Sequence, residues 1–148
     1  MIWQSAIVVA LGLLVAAEDP GKSVSAKAEL NKLQGTWTIE EAERDGQRDP
    51  AAGGQITISG DHFITKTKKG DKVLREGTLK LDPSKKPATI DATYTQGPDK
   101  GKTRLGIYQQ KGGNWLLYYR DPGLGRPKSF DTVGEKGRLF LLLKRKKS

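Results

Sequence analysis

Residues 96–120 read QGPDKGKTRLGIYQQKGGNWLLYYR, and two readings of this stretch give two different folds. Gly97, Gly101, Lys102 and Thr103 suggest a phosphate-binding loop, which would make the chain α/β and a nucleotide binder. Such a loop needs four residues between its glycines and a helix N-terminus after its Lys-Thr. Here only Pro98, Asp99 and Lys100 separate Gly97 from Gly101, and Pro98 lacks the backbone N–H that a phosphate cradle would use. From Lys102 onward the chain alternates with period two. Thr103, Leu105 and Ile107 fall on one face, and Gly106 and Tyr108 on the other. Lys111-Gly112-Gly113 then turns the chain into NWLLYYR. The stretch is a pair of hairpins, and no nucleotide is expected.

The same alternation runs outward in both directions. GTWTIEEA (35–42) puts Trp37 and Ile39 on one face. QITISG (55–60), DHFITKTK (61–68) and KVLREGTLKLD (72–82) come next, the last with Val73, Leu79 and Leu81 in phase. PATIDATYT (87–95) carries Ile90, Ala92 and Tyr94 together, and GRLFLLLKRK (137–146) ends the series. These make about eight strands joined by short turns rich in Gly, Asp and Pro, with no βαβ alternation. The prediction is an all-β chain, an antiparallel up-and-down barrel or a sandwich. Closure into a barrel removes exposed strand edges. Ahead of the strands, SAKAELNKLQG predicts one short helix, capped by Ser25, with Leu30 and Leu33 on one face and Gly35 as its stop.

The chain has 148 residues, enough for one domain, and no cysteine. Disulfides, thiolate nucleophiles, zinc–thiolate sites and iron–sulfur clusters are therefore excluded. His62 is the lone histidine, so a multi-histidine metal site is excluded too, and nothing in the sequence sets Ser59 or Ser129 against it. No catalytic residue, metal or cofactor is expected, and the chain is not read as an enzyme. The opening MIWQSAIVVALGLLVAAEDP carries an apolar run too short to span a bilayer comfortably. Residues 1–17 read as a signal peptide cleaved near Ala17, or as an uncleaved N-terminal anchor. Either places the domain outside the cytoplasm, secreted or periplasmic. Residues 18–24 read as a polar linker and 25–147 as the barrel domain. The net charge of +9 favours anionic partners.

LQGTWTIEEAERDG, KKPATIDATYTQGPDKGKTRLGIY and GRPKSF before a final apolar strand resemble a family of lipocalin-like domains expanded in planctomycete bacteria. The resemblance runs from about Leu30 to Arg145. It implies a lipocalin-like (calycin-like) barrel and export, and assigns no activity. Gly35-Thr36-Trp37 is similar to the G-x-W opening of lipocalins generally, where a late arginine packs on the tryptophan. The resemblance offers Arg126 or Arg138 for that role and favours Arg126, because it begins the RPxxF motif. A guanidinium suits the task, since it can stack on an indole while donating to nearby carbonyls.

Two sets of residues are candidates for binding. Tyr94, Tyr108, Trp115 and Tyr119 lie on neighbouring strands, and aromatic side chains with a polar tip suit the lining of a small-ligand pocket. The competing role is ordinary core packing. Lys100, Lys102, Arg104, Lys144, Arg145, Lys146 and Lys147 make a candidate polyanion patch, if the loops share one end of the barrel; the competing role is a solvated surface. The first functional expectation is therefore an exported barrel that binds a small amphipathic ligand without catalysis. The alternatives are a basic surface module for an anionic polymer (envelope polysaccharide or nucleic acid), and a protein-binding barrel of the protease-inhibitor kind. The oligomeric state is not legible.

Overall fold

The computed structural model describes residues 20–70, 72–131 and 136–146, with the backbone alone for 20–24. Residues 1–17, read from the sequence as a signal or anchor, and the basic Lys147 lie outside the described residues. Helix α1 (Pro20–Lys32) leads into β1 (Gly35–Arg44) and a short β2 (Gln47–Arg48). Then come β3 (Gln55–Ser59), β4 (His62–Lys66), β5 (Val73–Asp82), β6 (Ala88–Gln96), β7 (Thr103–Lys111), β8 (Asn114–Arg120) and β9 (Arg138–Arg145). Each strand runs antiparallel to its neighbours in the sheet, and β1 also pairs with β9. That pairing, from Trp37↔Arg145 to Arg44↔Leu139, closes an eight-stranded lipocalin-like barrel of β1 and β3–β9. The short β2 only folds back on the end of β1. A bulge between Ile39 and Glu41 bends β1, whose first half also pairs with β3.

Alternation places one face of every strand inside. Trp37, Ile39, Ile58, Phe63, Leu79, Ile90, Leu117, Leu139 and Leu143 belong to one buried cluster, and Leu33 closes it beneath α1. Val73 departs from its expected phase: it is 46% exposed, and Leu74 packs against the core instead. Register shifts at Thr65/Lys66 and Glu76/Gly77 change the phase of β5 between its two halves. The helix begins five residues before Ser25, over most of the stretch read as linker. Proline suits such a start, because a first-turn N–H has no helical partner to lose.

The topology sorts the connections to two ends. The closed end carries α1 and the β3–β4, β5–β6 and β7–β8 turns. The mouth carries the β2–β3 loop, the β4–β5 and β6–β7 turns, and the β8–β9 connection. Residues 121–131 of that last connection fold back as a strap over the outside of β7 and β8. Ile107 and Tyr118 are buried yet stand outside the interior cluster, because the strap covers them. Phe130 meets Tyr118 edge-on at 6.3 Å.

Candidate functional site

At the closed end, the arginine on the G-x-W tryptophan is Arg145, not Arg126. The Arg145 guanidinium lies 4.1 Å from the Trp37 ring centre. It donates from Nη1 to the Gln34 carbonyl at 2.8 Å and from Nη2 to the Lys32 carbonyl at 2.9 Å. The Trp37 indole donates to the Leu33 carbonyl at 2.8 Å. Lys32 ends α1, so its carbonyl has no helical partner; Leu33 and Gln34 lead from it into β1, and a cation there also suits the helix dipole. Gly35 has φ +108°, and a side chain on it would meet Arg145 Nη1 at 3.1 Å. Its place in the motif is therefore steric as well as conformational. Arg126 sits instead on the outer face, donating to the Gly106 carbonyl at 2.8 Å and pairing with Asp91 at 2.7 Å. It anchors the strap, across the barrel wall from the role expected of it.

The four candidate ligand-binding aromatics all point inward and are packed. Tyr108 stacks on Trp115 with ring centres 5.3 Å apart, and Trp115 meets Trp37 edge-on at 6.3 Å. Tyr94 meets Phe63 edge-on at 5.8 Å. The Tyr119 ring lies over Gly106, where a Cβ would come within 2.6 Å of it. Burial pushes the Tyr119 hydroxyl well above its usual range and raises that of Tyr94, against the pull of Arg104. Tyr108 is raised by burial and by its 2.9 Å hydrogen bond to Glu29, which ties the helix to the barrel. Tyr94 and Tyr119 border an interior void of about 20 Å³, walled otherwise mostly by aliphatic side chains, room for about one water.

The basic residues proposed as one patch are split. Lys144, Arg145 and Lys146 lie at the closed end, whereas Lys100, Lys102 and Arg104 belong to the mouth. Arg104 is 2% exposed, because it shares the inward parity of Gly106 and Tyr108. It donates to Asp99 Oδ2 at 2.7 Å and to Asp121 Oδ1 at 2.8 Å. Asp121 also accepts from Arg44 at 2.7 Å. Arg44 and Arg75 in turn approach Asp49 at 3.6 and 3.5 Å, while Asp49 accepts from the Ala51 N–H at 2.9 Å. The result is an alternating chain, Asp99–Arg104–Asp121–Arg44–Asp49–Arg75, strung across the mouth from β7 to β5. Burial opposes the charge on Asp121, but the bonds from Arg44 and Arg104 outweigh it and hold the carboxyl below the usual range. The sequence reading missed the acids of this chain, and their scattered positions give no local signal. The parity of Arg104 was the one clue available.

On the outer wall toward the closed end, β5, β6, β7 and the strap enclose a groove of about 640 Å³. Its cations are Lys80, Lys85, Lys86, Arg126 and Lys128, against Asp82 and Asp91. Asp91 is already paired with Arg126, and Asp82 accepts from Ser84. Thr89 and Ile107 are also part of its lining. Lys80, Lys85, Lys86 and Lys128 are all exposed. A second groove, which includes Phe130, Gln109 and Gln110, adjoins it at Lys85–Lys86–Pro87. Among the described residues, no group of acids and histidine could hold a metal, and no helix is long and apolar enough to cross a membrane.

No protein-family model matches the chain, no curated protein matches it, and no solved structure matches its fold.

Proposed function

We propose that this is an exported, non-catalytic binding module that docks on an anionic envelope polysaccharide through the basic groove of β5, β6, β7 and the strap. One contrast carries the reading: the interior void bordered by Tyr94 and Tyr119 holds about 20 Å³, while the outer groove offers about 640 Å³ rimmed by five cations. A small amphipathic ligand would need an interior of roughly 300 Å³ or more, and the aromatic side chains occupy that space. Single-stranded nucleic acid is favoured by exposed aromatic platforms. Every described Trp and Tyr is buried, which favours a polysaccharide. Export rests on the N-terminal apolar run and on the resemblance to exported lipocalin-like domains.

The test compares two variants of equal charge. One replaces Lys80, Lys85, Lys86 and Lys128 with Gln in the groove; the other replaces Lys66, Lys68, Lys69 and Lys72 near the β4–β5 turn at the mouth. Binding to polygalacturonate is measured across a salt series. The groove variant is expected to lose affinity at least about tenfold at low salt, and its log–log salt slope should fall by about 3, as for four lost contacts on a linear polyanion. The mouth variant should stay close to wild type. Equal losses in both would show that net charge alone attracts the polymer, and the groove reading would fail.

A further inference from the structure

We propose that the cleft at the barrel mouth is a second binding site, for a neutral saccharide. The cleft has a volume of about 550 Å³, within the range of small-ligand sites. Its walls include the six-membered charge chain. Burying such a chain is costly: ion pairs taken out of water are commonly no more stabilising than apolar packing of similar volume. Asp49 and Arg104 are 3% and 2% exposed, so stability alone is a poor account of them. Arg75 lines both this cleft and the interior void, and its Nε is buried without a hydrogen-bond partner.

The geometry points to the ligand's chemistry. Asp49 lies 3.6 Å from Arg44 and 3.5 Å from Arg75, beyond the usual range of an N–H···O hydrogen bond. A hydroxyl accepts from a guanidinium while donating to a carboxylate, so hydroxyls seated beside Asp49 complete contacts that the protein leaves long. The six linked side chains are three arginines and three aspartates, a formal charge of zero, to which Lys102 adds one positive charge at the rim of the cleft. A carboxylate ligand would face Asp49, Asp99 and Asp121. An ammonium would face Arg44, Arg75, Arg104 and the rim Lys102. A neutral polyol meets neither penalty. Pro50, Pro98 and Pro122 also line the cleft and offer apolar surface to the C–H faces of a sugar ring.

The experiment is a titration of the full ¹⁵N-labelled chain, followed at the arginine Nε–Hε signals. The probes are glucose, galactose, mannose, N-acetylglucosamine, cellobiose and chitobiose, with glucuronate and glucosamine as charged comparators. At least one neutral sugar should move the Arg75 and Arg44 signals saturably, with a Kd of about 10 mM or tighter that added NaCl leaves unchanged. Asp49→Asn and Arg75→Lys should each weaken that binding about tenfold. If those variants do not fold, the wild-type titration still decides. Silence of both signals toward every neutral sugar overturns the proposal. So does a response to the charged comparators alone, or binding that salt abolishes.

Discussion

Arg145 shows how one side chain couples three elements. It belongs to β9, stacks on Trp37 of β1, and donates to the carbonyl of Lys32, the last residue of α1, and to that of Gln34 just past it. Arg145→Ala should lower the unfolding free energy by about 1–2 kcal/mol, a modest figure because the side chain is exposed. Amide exchange should quicken in the last turn of α1. Arg126→Ala should leave that exchange unchanged, since Arg126 bonds to Gly106 and Asp91 on the outer wall. Hydrogen exchange on the two variants separates the roles. Asp121 carries a pH dependence of definite sign. Its carboxyl is held below the ordinary 3.8, so its contribution is complete above that value. It is lost as pH falls through the lower, folded-state value. Asp121→Asn should cost about 0.5–1 kcal/mol at neutral pH, because the side chain is 39% exposed and water screens its ion pairs, and the variant's acid unfolding curve should converge on wild type below pH 3.8. Parallel curves down to the lowest pH would show that Asp121 is not a titrating member of the chain.

The strap is an element that period-two reading does not detect. It has no regular structure, yet it anchors through Arg126, buries Ile107 and Tyr118, and forms one wall of the basic groove. Phe130→Ala removes its edge-on contact with Tyr118. Trypsin should then cut after Lys128 several-fold faster, while near-ultraviolet circular dichroism of the barrel stays native. An unchanged cleavage rate would mean that Arg126 and Pro127 suffice to hold the strap. This element also marks the limit of what the sequence discloses. Strand positions were legible to within a residue or two, because alternation between water and core is written locally in stretches such as residues 102–120. The strap's burial depends on where residues 121–131 land, and nothing local encodes that. The Trp37 partner was misassigned for the same reason. Several arginines could satisfy the chemistry, and only β1–β9 closure brings Arg145 to the helix end. Bulges hid the phase of Val73. Arg104 is different, since its inward parity was readable beside Gly106 and Tyr108.

At the scale of the whole molecule, the barrel keeps its interior as core and carries its exposed cations on the outside. The aromatics that suggested a pocket are packed into the core, Tyr108 on Trp115, Tyr94 against Phe63 and Tyr119 over Gly106, and the charges divide between the mouth, the closed end and one outer groove. A filled core of this kind makes a direct prediction. Tyr119→Ala removes a ring packed over Gly106 and should destabilise the barrel by about 3–5 kcal/mol, the usual cost of deleting a large buried side chain. The cavity it leaves is lined by Tyr94, Leu117 and Leu139, which border the existing void, and an apolar cavity of that sort admits small aromatic molecules. Indole should therefore raise the melting temperature of the variant in proportion to its occupancy and leave the wild type unmoved. Leu117→Ala, a smaller deletion, provides a second variant if the first is too unstable to measure. Should indole stabilise the wild type as strongly as the variants, the native interior would already open to ligands. The basic groove would then lose its advantage over a binding site inside the barrel.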